Sequence, residues 1–531
     1  MRAKLTRRGV LASSAAAIAP SLLKTRARAQ AIVPKRGGTL TALIFPEPPL
    51  LIPGLNNQAP ALIVASKIYQ GLLTYSKTLE PLPQLARSWE ISEDRQNYTF
   101  HLQEAVQWHD GTPMTADDVV FSIMRFHWEL SPRAERVLRR IKVAASPDAN
   151  TVVFTLDAPC DAFLLLFDVT ALAIVPKHLY EGTDFRTNPH NDRPIGTGPF
   201  RFAQWQRDSS IRPERFEHYW KPGMPYLDAI VYRIVPDSQS RAVAMRSGEA
   251  ALAQANDVEP FDVLRLKPLP MLTVDSEGWE YLAPLAWMEI NHRVKPLDQQ
   301  RVRQAISHAI DRELLVRRLW AGMGRAATSP IGSTTRFHDP TAKLEAHDPR
   351  AAAQLLDAAG LMPNDDGIRF ALRHLVLPYG DVWSRLSEHL RTALGMVGIE
   401  LVLESTDAAT WARRIAAWDY ETSVNFVYQY GDPTIGVERS YVSSNIRNVA
   451  FANTGGYASA EVDALFAQAR DAIDPAQQNA AFQQVQKLLI DDVPQIWLLE
   501  PAFPTVIDQH LHAAVEAGTG VHACFDDVFL A

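Results

Sequence analysis

The stretch IRFALRHLVLPYGDVWSRLSEHLRTALGMVGIELVLESTDAATWARRIAAWDYETSVNFVYQY, residues 368–430, alternates short apolar runs with longer segments of helical period. IRFALRHLVL (368–377) reads as a strand, DVWSRLSEHLRTALGMVG (381–398) as a helix and IELVLEST (399–406) as a strand. AATWARRIAAWDY (408–420) follows as a helix and TSVNFVYQY (422–430) as a strand. This rhythm predicts an α/β fold with a mostly parallel sheet and helices on both faces. TSVNFVYQY is then the last strand of its lobe, and it runs into QYGDPTIG (429–436), a loop at its carboxyl end, where open sheets of this kind hold ligands. Asp432 is the one acid of that loop. It either grips a charged ligand or starts the turn before Pro433.

The flanking segments carry their own boundaries. DPRAAAQLLDAAGL (348–361) has Asp348 as cap, Pro349 at the first helical position and Gly360 as stop. LDQQRVRQAISHAIDRELL (297–315) repeats the logic, with Asp298 as the expected cap and Val302, Ala305, Ile306, Ala309 and Ile310 as the apolar face. His308 lies beside that face and reads as a partly exposed helix residue, not a ligand. Nearer the start, GGTLTALIF (37–45) reads as a strand, residues 59–71 as a helix and residues 88–111 as a hairpin. In the hairpin Trp89 and Ile91 alternate before the turn, and Tyr98, Phe100 and Leu102 after it. TPMTADDVVFSIMRF (112–126) invites a metal reading through Asp117 and Asp118. Helix physics accounts for both acids more simply: Thr115 caps, Asp118 closes the box three residues on, and the dipole favours negative charge there. Val119, Ile123 and Phe126 then form the buried stripe.

With 531 residues, 47% hydrophobic and 21% charged, the chain is long enough for two or more lobes with cores of their own. Two cysteines, Cys160 and Cys524, allow no disulfide framework and no metal knuckle. The first 30 residues read as an export signal: a basic start, a mildly apolar stretch from Val10 to Leu23, and small residues at Ala27, Ala29 and Ala31 that place cleavage near Ala29 to Ala31. Arg7 and Arg8, between Thr6 and Gly9, resemble the twin-arginine signal, which passes folded proteins across the inner membrane. Removing residues 1–29 takes away seven basic residues and no acidic one, so the net charge moves from −7 to −14. An acidic mature chain does not suit nucleic acid or an anionic membrane surface. The remaining apolar runs are broken well short of the roughly 18 residues a spanning helix needs.

Tests for an enzyme find no assembled motif. HExxH, GxxxxGK[ST], GxSxG and a dinucleotide fingerprint after a strand are all missing. PIGTGPFRF (194–202) lacks the lysine and the following helix that phosphate binding needs. His101, His109 and Asp110, or His338 and His347, lack metal-ligand spacing. No catalytic residue, metal or cofactor is expected.

Several segments together carry a family resemblance. PQLARSWEISEDRQNYTFHLQEAVQWHDGTPMTADDVVFSIMR (83–125) resembles the signature region of the extracellular solute-binding proteins of family 5, the periplasmic receptors of peptide- and nickel-type ABC importers. PIGTGPFRF, MEINHRVKPLDQQRVRQAISHAIDRELL (288–315), DPRAAAQLLDAAGL, WDYETSVNFVYQYGDP (418–433) and LLIDDVPQIWLLEP (488–501) follow in the order of that family, across nearly the whole mature chain. The resemblance implies a two-lobe, hinged periplasmic-binding-protein fold whose first lobe is discontinuous and carries an extra subdomain. Mapped onto this chain, residues 32–283 and 490–531 make the first lobe and residues 284–489 the second, with crossing strands near YLAPLAWMEIN (281–291) and PQIWLLEP (494–501). The chain has no lipobox cysteine near its start, so a free periplasmic protein is expected.

In peptide receptors of this family an aspartate in the loop after the strand matching TSVNFVYQY binds the ligand amine, which makes Asp432 the candidate. An earlier acid of that pattern is replaced here by Tyr428, Gln429 and Tyr430. Asp432 therefore matches either the ligand acid or the acid that caps the next turn. Tyr428 and Tyr430 share one face of the strand and offer aromatic contact area. Trp411 matches a frequent tryptophan of the family; core packing is the alternative for it and for the tyrosines. Tyr441, Asn445 and Arg447 fall just beyond the strand, and Arg447 is either a partner for a ligand carboxylate or an exposed surface arginine. Glu289, alternating with Trp287, is a possible second acid at the cleft floor. The expected function is a receptor without catalytic activity that takes a peptide or peptide-like solute in an inter-lobe cleft and delivers it to a permease driven by ATPase subunits. A monomer is expected. Nickel chelates, opines and oligosaccharides are alternative solutes, and an exported hydrolase is the competing class.

Overall fold

The computed structural model describes residues 33–131, 134–254 and 257–531. The export-signal segment, residues 1–30, lies outside them. Three sheets organise the rest. The largest has seven strands, in spatial order Leu272–Asp275, Thr505–Asp508, Leu252–Ala253, Thr39–Ile44, Ala229–Ile234, Ser210–Arg215 and Phe200–Gln206. The second has six, in the order Arg325–Ala326, Ile496–Glu500, Pro284–Ile290, Thr422–Tyr428, Phe370–Leu375 and Ile399–Glu404. A four-stranded antiparallel sheet, Ala86–Ile91, Asn97–Leu102, Thr151–Leu156 and Ile141–Asp148, contains the expected hairpin. The chain leaves the seven-stranded sheet after Asp275, enters the six-stranded one at Pro284, and returns between Glu500 and Thr505.

The strand–helix alternation of residues 368–430 is present as read. Phe370–Leu375 pairs in parallel with both Ile399–Glu404 and Thr422–Tyr428. The expectation of a mostly parallel sheet is corrected beyond that unit. Thr422–Tyr428 is antiparallel to Pro284–Ile290, which is antiparallel to Ile496–Glu500, so the tyrosine-bearing strand sits inside a mixed sheet. The three central strands are buried almost throughout, as strands covered on both faces must be. Buried polar side chains here find partners: Ser423 Oγ donates to the Leu375 carbonyl (2.7 Å), and the His374 ring bonds the hydroxyls of Thr422 (2.9 Å) and Ser387 (3.1 Å); the Tyr428 hydroxyl is an exception. Helix Asp381–Gly395 lays Val382, Trp383, Leu386, Leu390 and Leu394 on this sheet at helical spacing.

Local signals behave as their chemistry requires. Thr115 and Asp118 form a capping box, with the Thr115 N–H donating to Asp118 Oδ2 (2.8 Å), and Asp117 faces Lys177 and Ser146. The helix relaxes into a π turn at Ser122–His127 while Val119, Ile123 and Phe126 stay buried. Asp348 accepts from the N–H groups of Arg350 and Ala351. Asp298 is not a cap: the helix Gln300–His308 starts after Gln299, and Asp298 pairs with Lys295 across the preceding turn. The first helix, Ala59–Ile68, is buried at every position. Its Lys67 ammonium donates to the carbonyls of Val521 and Ala523 (2.7 Å each), which ties the helix to the chain's last segment. Cys160 and Cys524 are free and buried, and burial pushes both thiols up to about 12. No helix among the described residues is long and apolar enough to cross a membrane.

Candidate functional site

The strand Thr422–Tyr428 ends on a sharp change of direction. Tyr430 and Gly431 both take left-handed φ (52° and 67°), and a Cβ on Gly431 would come within 2.9 Å of the Leu79 side chain. Asp432 then caps the single turn Pro433–Gly436, accepting from the Thr434 N–H at 2.9 Å. That turn packs directly onto the strand exit: a Cβ on Gly436 would lie 2.2 Å from the Gln429 backbone. The Gln429 carboxamide accepts from the Gly332 N–H and the Thr335 hydroxyl (2.8 Å each) and donates to the Pro330 carbonyl (2.9 Å). GDPTIG is therefore a reversal held by its glycines, its proline and its acid.

The reversal leaves a cavity of about 370 Å³ beside the strand end. One wall comes from the six-stranded sheet and its helices: Phe426 and Tyr428 from the strand, Tyr430 just beyond it, Ala412 and Ala416 from helix Ala408–Ala416, and Tyr379 from the loop before helix Asp381–Gly395. Residues 448–451 close a side. The opposite wall is the loop Gly54–Gln58 with Ala59 at the start of the first helix, joined by Leu130 and Arg186. The aromatic rings brace one another, with Tyr428 edge-on to Tyr430 (6.1 Å, 88°) and to Phe426 (5.9 Å, 64°). The phenol oxygens of Tyr428 and Tyr379 are buried without a hydrogen-bond partner, and burial pushes both groups above their usual range.

Electrostatically the cavity is one-sided. None of the described residues that line it is an aspartate or glutamate. Arg439 lies in the wall, 5% exposed, and donates to the carbonyls of Phe451 and Gly436 (3.2 Å for the latter), with Tyr428 O at 3.4 Å. Arg186 stands at the rim and pairs with Glu129 at 2.9 Å. The N-cap of the first helix, Gln58, makes no side-chain capping bond; its own N–H donates to Asn56 Oδ1 at 3.1 Å, and Pro60 removes one N–H from the first turn.

The structure separates the residues singled out in the sequence. Tyr428 and Tyr430 line the cavity. Asp432 does not; it is 1% exposed, caps its turn and pairs with Arg336 (3.1 Å), and burial pushes its carboxyl up against the pull of that guanidinium. Trp411 is fully buried one layer behind, donating to Ser423 Oγ (3.1 Å) and supporting the rings of Tyr379 and Phe451. Arg447 turns away to Glu135 (2.5 Å). Asn445 donates to the Arg439 carbonyl (2.6 Å) and so positions that residue from behind. Glu289 is buried in the sheet, accepting from Trp287 Nε1 (2.8 Å) and the Thr454 hydroxyl (2.6 Å), and burial pushes its carboxyl up. Tyr441 accepts from Trp497 Nε1 (2.8 Å) inside the core. Arg439, Tyr379, Phe451 and the 54–58 loop were not singled out in the sequence. Helix Ala408–Ala416 was read, but its cavity-facing alanines carry no chemical signal.

Asp432→Ala should lower the unfolding free energy by about 1–2 kcal/mol through the lost cap, with little added by the solvent-reached Arg336 pair. Solute affinity, measured by calorimetry, should stay within about twofold; a loss of tenfold or more would return Asp432 to the ligand.

Residues 80–448 match the model of the bacterial extracellular solute-binding proteins, family 5. The chain is 27% identical over 465 residues to the glutathione-binding protein GsiB of Shigella dysenteriae, covering 86% of each chain. It is 26% identical over 474 residues to heme-binding protein A of Haemophilus influenzae, covering 85% of this chain and 84% of that one. Its fold matches the ABC transporter-associated periplasmic binding protein DppA of Helicobacter pylori, solved with the peptide STSA, at a TM-score of 0.83 and 24% identity, over 93% and 98% of the two chains.

Proposed function

Since this chain belongs to the bacterial extracellular solute-binding proteins of family 5, we propose that it is the periplasmic receptor of an ABC importer and that the cavity beside Tyr428 and Tyr430 holds its solute. The single observation that carries this reading is the composition of that cavity. It has aromatic and aliphatic walls, a few amides and guanidinium groups and, among the described residues, not one serine, threonine, cysteine, histidine, lysine, aspartate or glutamate. Such a lining binds and orients; it offers no nucleophile paired with a base, and no imidazole, thiolate or carboxylate for a metal. The exported-hydrolase alternative therefore has no chemistry in this cavity.

The solute is a small peptide-like or comparable organic molecule. The volume falls at the lower end of the range for small-molecule sites, which favours this over a long oligosaccharide. The two passages of the chain between the large sheets, residues 276–283 and 501–504, favour a first lobe that ends near residue 283 and resumes after residue 500; the return expected at residue 490 moves later because Ile496–Glu500 pairs inside the six-stranded sheet. Closure of those lobes buries the solute, and the closed form is what permease and ATPase subunits act upon. Export by the twin-arginine-type signal of residues 1–30 and action as a free monomer complete the proposal. Native mass spectrometry of the exported protein tests it: a small solute should ride with the chain at one per molecule. A catalytic turnover abolished by a change in the cavity wall would overturn the reading.

A further inference from the structure

The polar groups of the cavity narrow the solute further, on the reading that this cavity is where the solute binds. Net charge on a solute meets no free counter-charge there. No carboxylate lines the walls among the described residues. The Arg439 guanidinium is engaged by the main-chain carbonyls of Gly436, Phe451 and Tyr428, and Arg186 at the rim pairs with Glu129. The His522 ring, edge-on to Tyr428 at 5.9 Å, is kept neutral by burial, which pulls it down to about 3. A charged group moved from water into these walls would stay unpaired, which is far costlier than burying a neutral polar one.

Two neutral donors stand unpaired. Tyr379, in the loop before helix Asp381–Gly395, and Tyr428, at the end of its strand, both line the cavity. They are 4% and 6% exposed, and neither hydroxyl has a hydrogen-bond partner among the described residues. Both rings stand edge-on to Phe426, at 6.0 Å and 5.9 Å, which holds the two phenols in one neighbourhood although they come from different elements. After burial itself, the phenols of Tyr430 and Tyr379 help to hold the Tyr428 hydroxyl above its usual range, as neighbours at close quarters do. A buried O–H without an acceptor destabilises the fold, and phenylalanine at either place would fill the same space without that cost. An acceptor that arrives with the solute gives both hydroxyls a use. A neutral carbonyl oxygen suits them, since it has two lone pairs and requires no counter-charge.

We propose that the hydroxyls of Tyr379 and Tyr428 are the recognition point of the cavity and donate to a neutral carbonyl oxygen of the solute, an amide, ester or ketone on an apolar or aromatic body without net charge. Phe426, Phe451, Leu55, Leu130 and Val449 pack against that body. Peptide-like solutes fit when both of their ends are blocked.

The test titrates three probes of one body, N-acetylphenylalaninamide, N-acetylphenylalanine and phenylalaninamide, into solute-free protein at neutral pH, and repeats the first with Tyr379→Phe and Tyr428→Phe. The neutral probe should bind at least about tenfold tighter than either charged one, and each phenylalanine should weaken it by about tenfold. Thermal unfolding of the solute-free variants separates recognition from packing: their midpoints should match or exceed the parent's, because an unpaired buried hydroxyl has been removed. Equal or tighter binding of a charged probe, no binding of the neutral one, or unchanged affinity in both variants would overturn the proposal. A clear fall in both midpoints would overturn it too, by giving the hydroxyls a structural role. The receptor reading fails on a different result, since Ala412→Trp fills the cavity: solute that copurifies with that variant as it does with the parent would remove the site itself.

Discussion

Trp383→Ala should lower the unfolding free energy by about 3–5 kcal/mol, the range for removing a fully buried large aromatic. Trp383 is 0% exposed on the sheet-facing side of helix Asp381–Gly395. Its ring stacks on Phe426 at 5.2 Å with 14° between planes and meets Trp320 edge-on at 5.3 Å. Phe426 is a wall of the cavity, so the vacated space lies directly behind the solute site. Urea unfolding should therefore show a reduced midpoint, and solute affinity should fall with it as Phe426 loses its support. A cost below about 1 kcal/mol would mean that helix and sheet pack loosely there, and the wall would not be preorganised.

The second large effect sits at Glu438, 1% exposed between Arg470 (2.8 Å) and Arg136 (3.7 Å). Burial pushes its carboxyl up to about 7, against the pull of the two guanidinium groups, and Oε2 has no hydrogen-bond partner. The native state thus holds a proton that the unfolded chain releases at its ordinary value of 4.5. Between those values the folded form binds more protons, so stability falls as pH rises through that window, by about 3 kcal/mol. Glu438→Gln should flatten that slope, seen as a change in urea midpoint between pH 4.5 and 7 that is present in the parent and missing in the variant. Arg470→Ala should cost about 3–5 kcal/mol at pH 8, where a buried carboxylate loses its nearer partner, and much less at pH 5. A variant whose pH profile matches the parent's would place the titration elsewhere. The same seam carries the pairs Glu135–Arg447 and Arg140–Asp471, joining residues 135–140 to the region after the tyrosine strand, next to the cavity residues Leu130 and Arg439.

Much of this was legible in the sequence where the cause is local. The period of residues 368–430 reports which faces are buried, and capping at Thr115 and Asp348 is a contact across three or fewer residues. The mixed sheet was not legible, because Pro284–Ile290 and Ile496–Glu500 pair across about two hundred residues with no local mark of direction. Asp298 shows the limit of cap reading: an acid near a helix start caps only if the backbone turns at that residue, and here the turn falls at Gln299. At the site, Tyr428 could be found because it ends the strand on the cavity side, whereas Tyr430 lines the cavity from beyond the strand, where its left-handed φ and not alternation places it. Asp432 was ambiguous because an acid before proline is the same signal for a cap and for a ligand grip. Arg439 left no signal, since its place in the wall is set by the carbonyls of Phe451 and Gly436 and by Asn445 behind it. Arg447, eight residues on, looked equivalent in sequence and is spent on Glu135.

The central claim is that the cavity beside Tyr428 and Tyr430 is where the solute sits, and calorimetric titration of the released solute into the parent protein and into Ala412→Trp tests it most directly. Ala412 lines that cavity from an amphipathic helix, so an indole there fills the space with the fold retained. The account predicts one site per chain in the parent, loss of binding by at least about a hundredfold in the variant, and an unfolding midpoint close to the parent's. Parent-like affinity in a folded Ala412→Trp protein would contradict it.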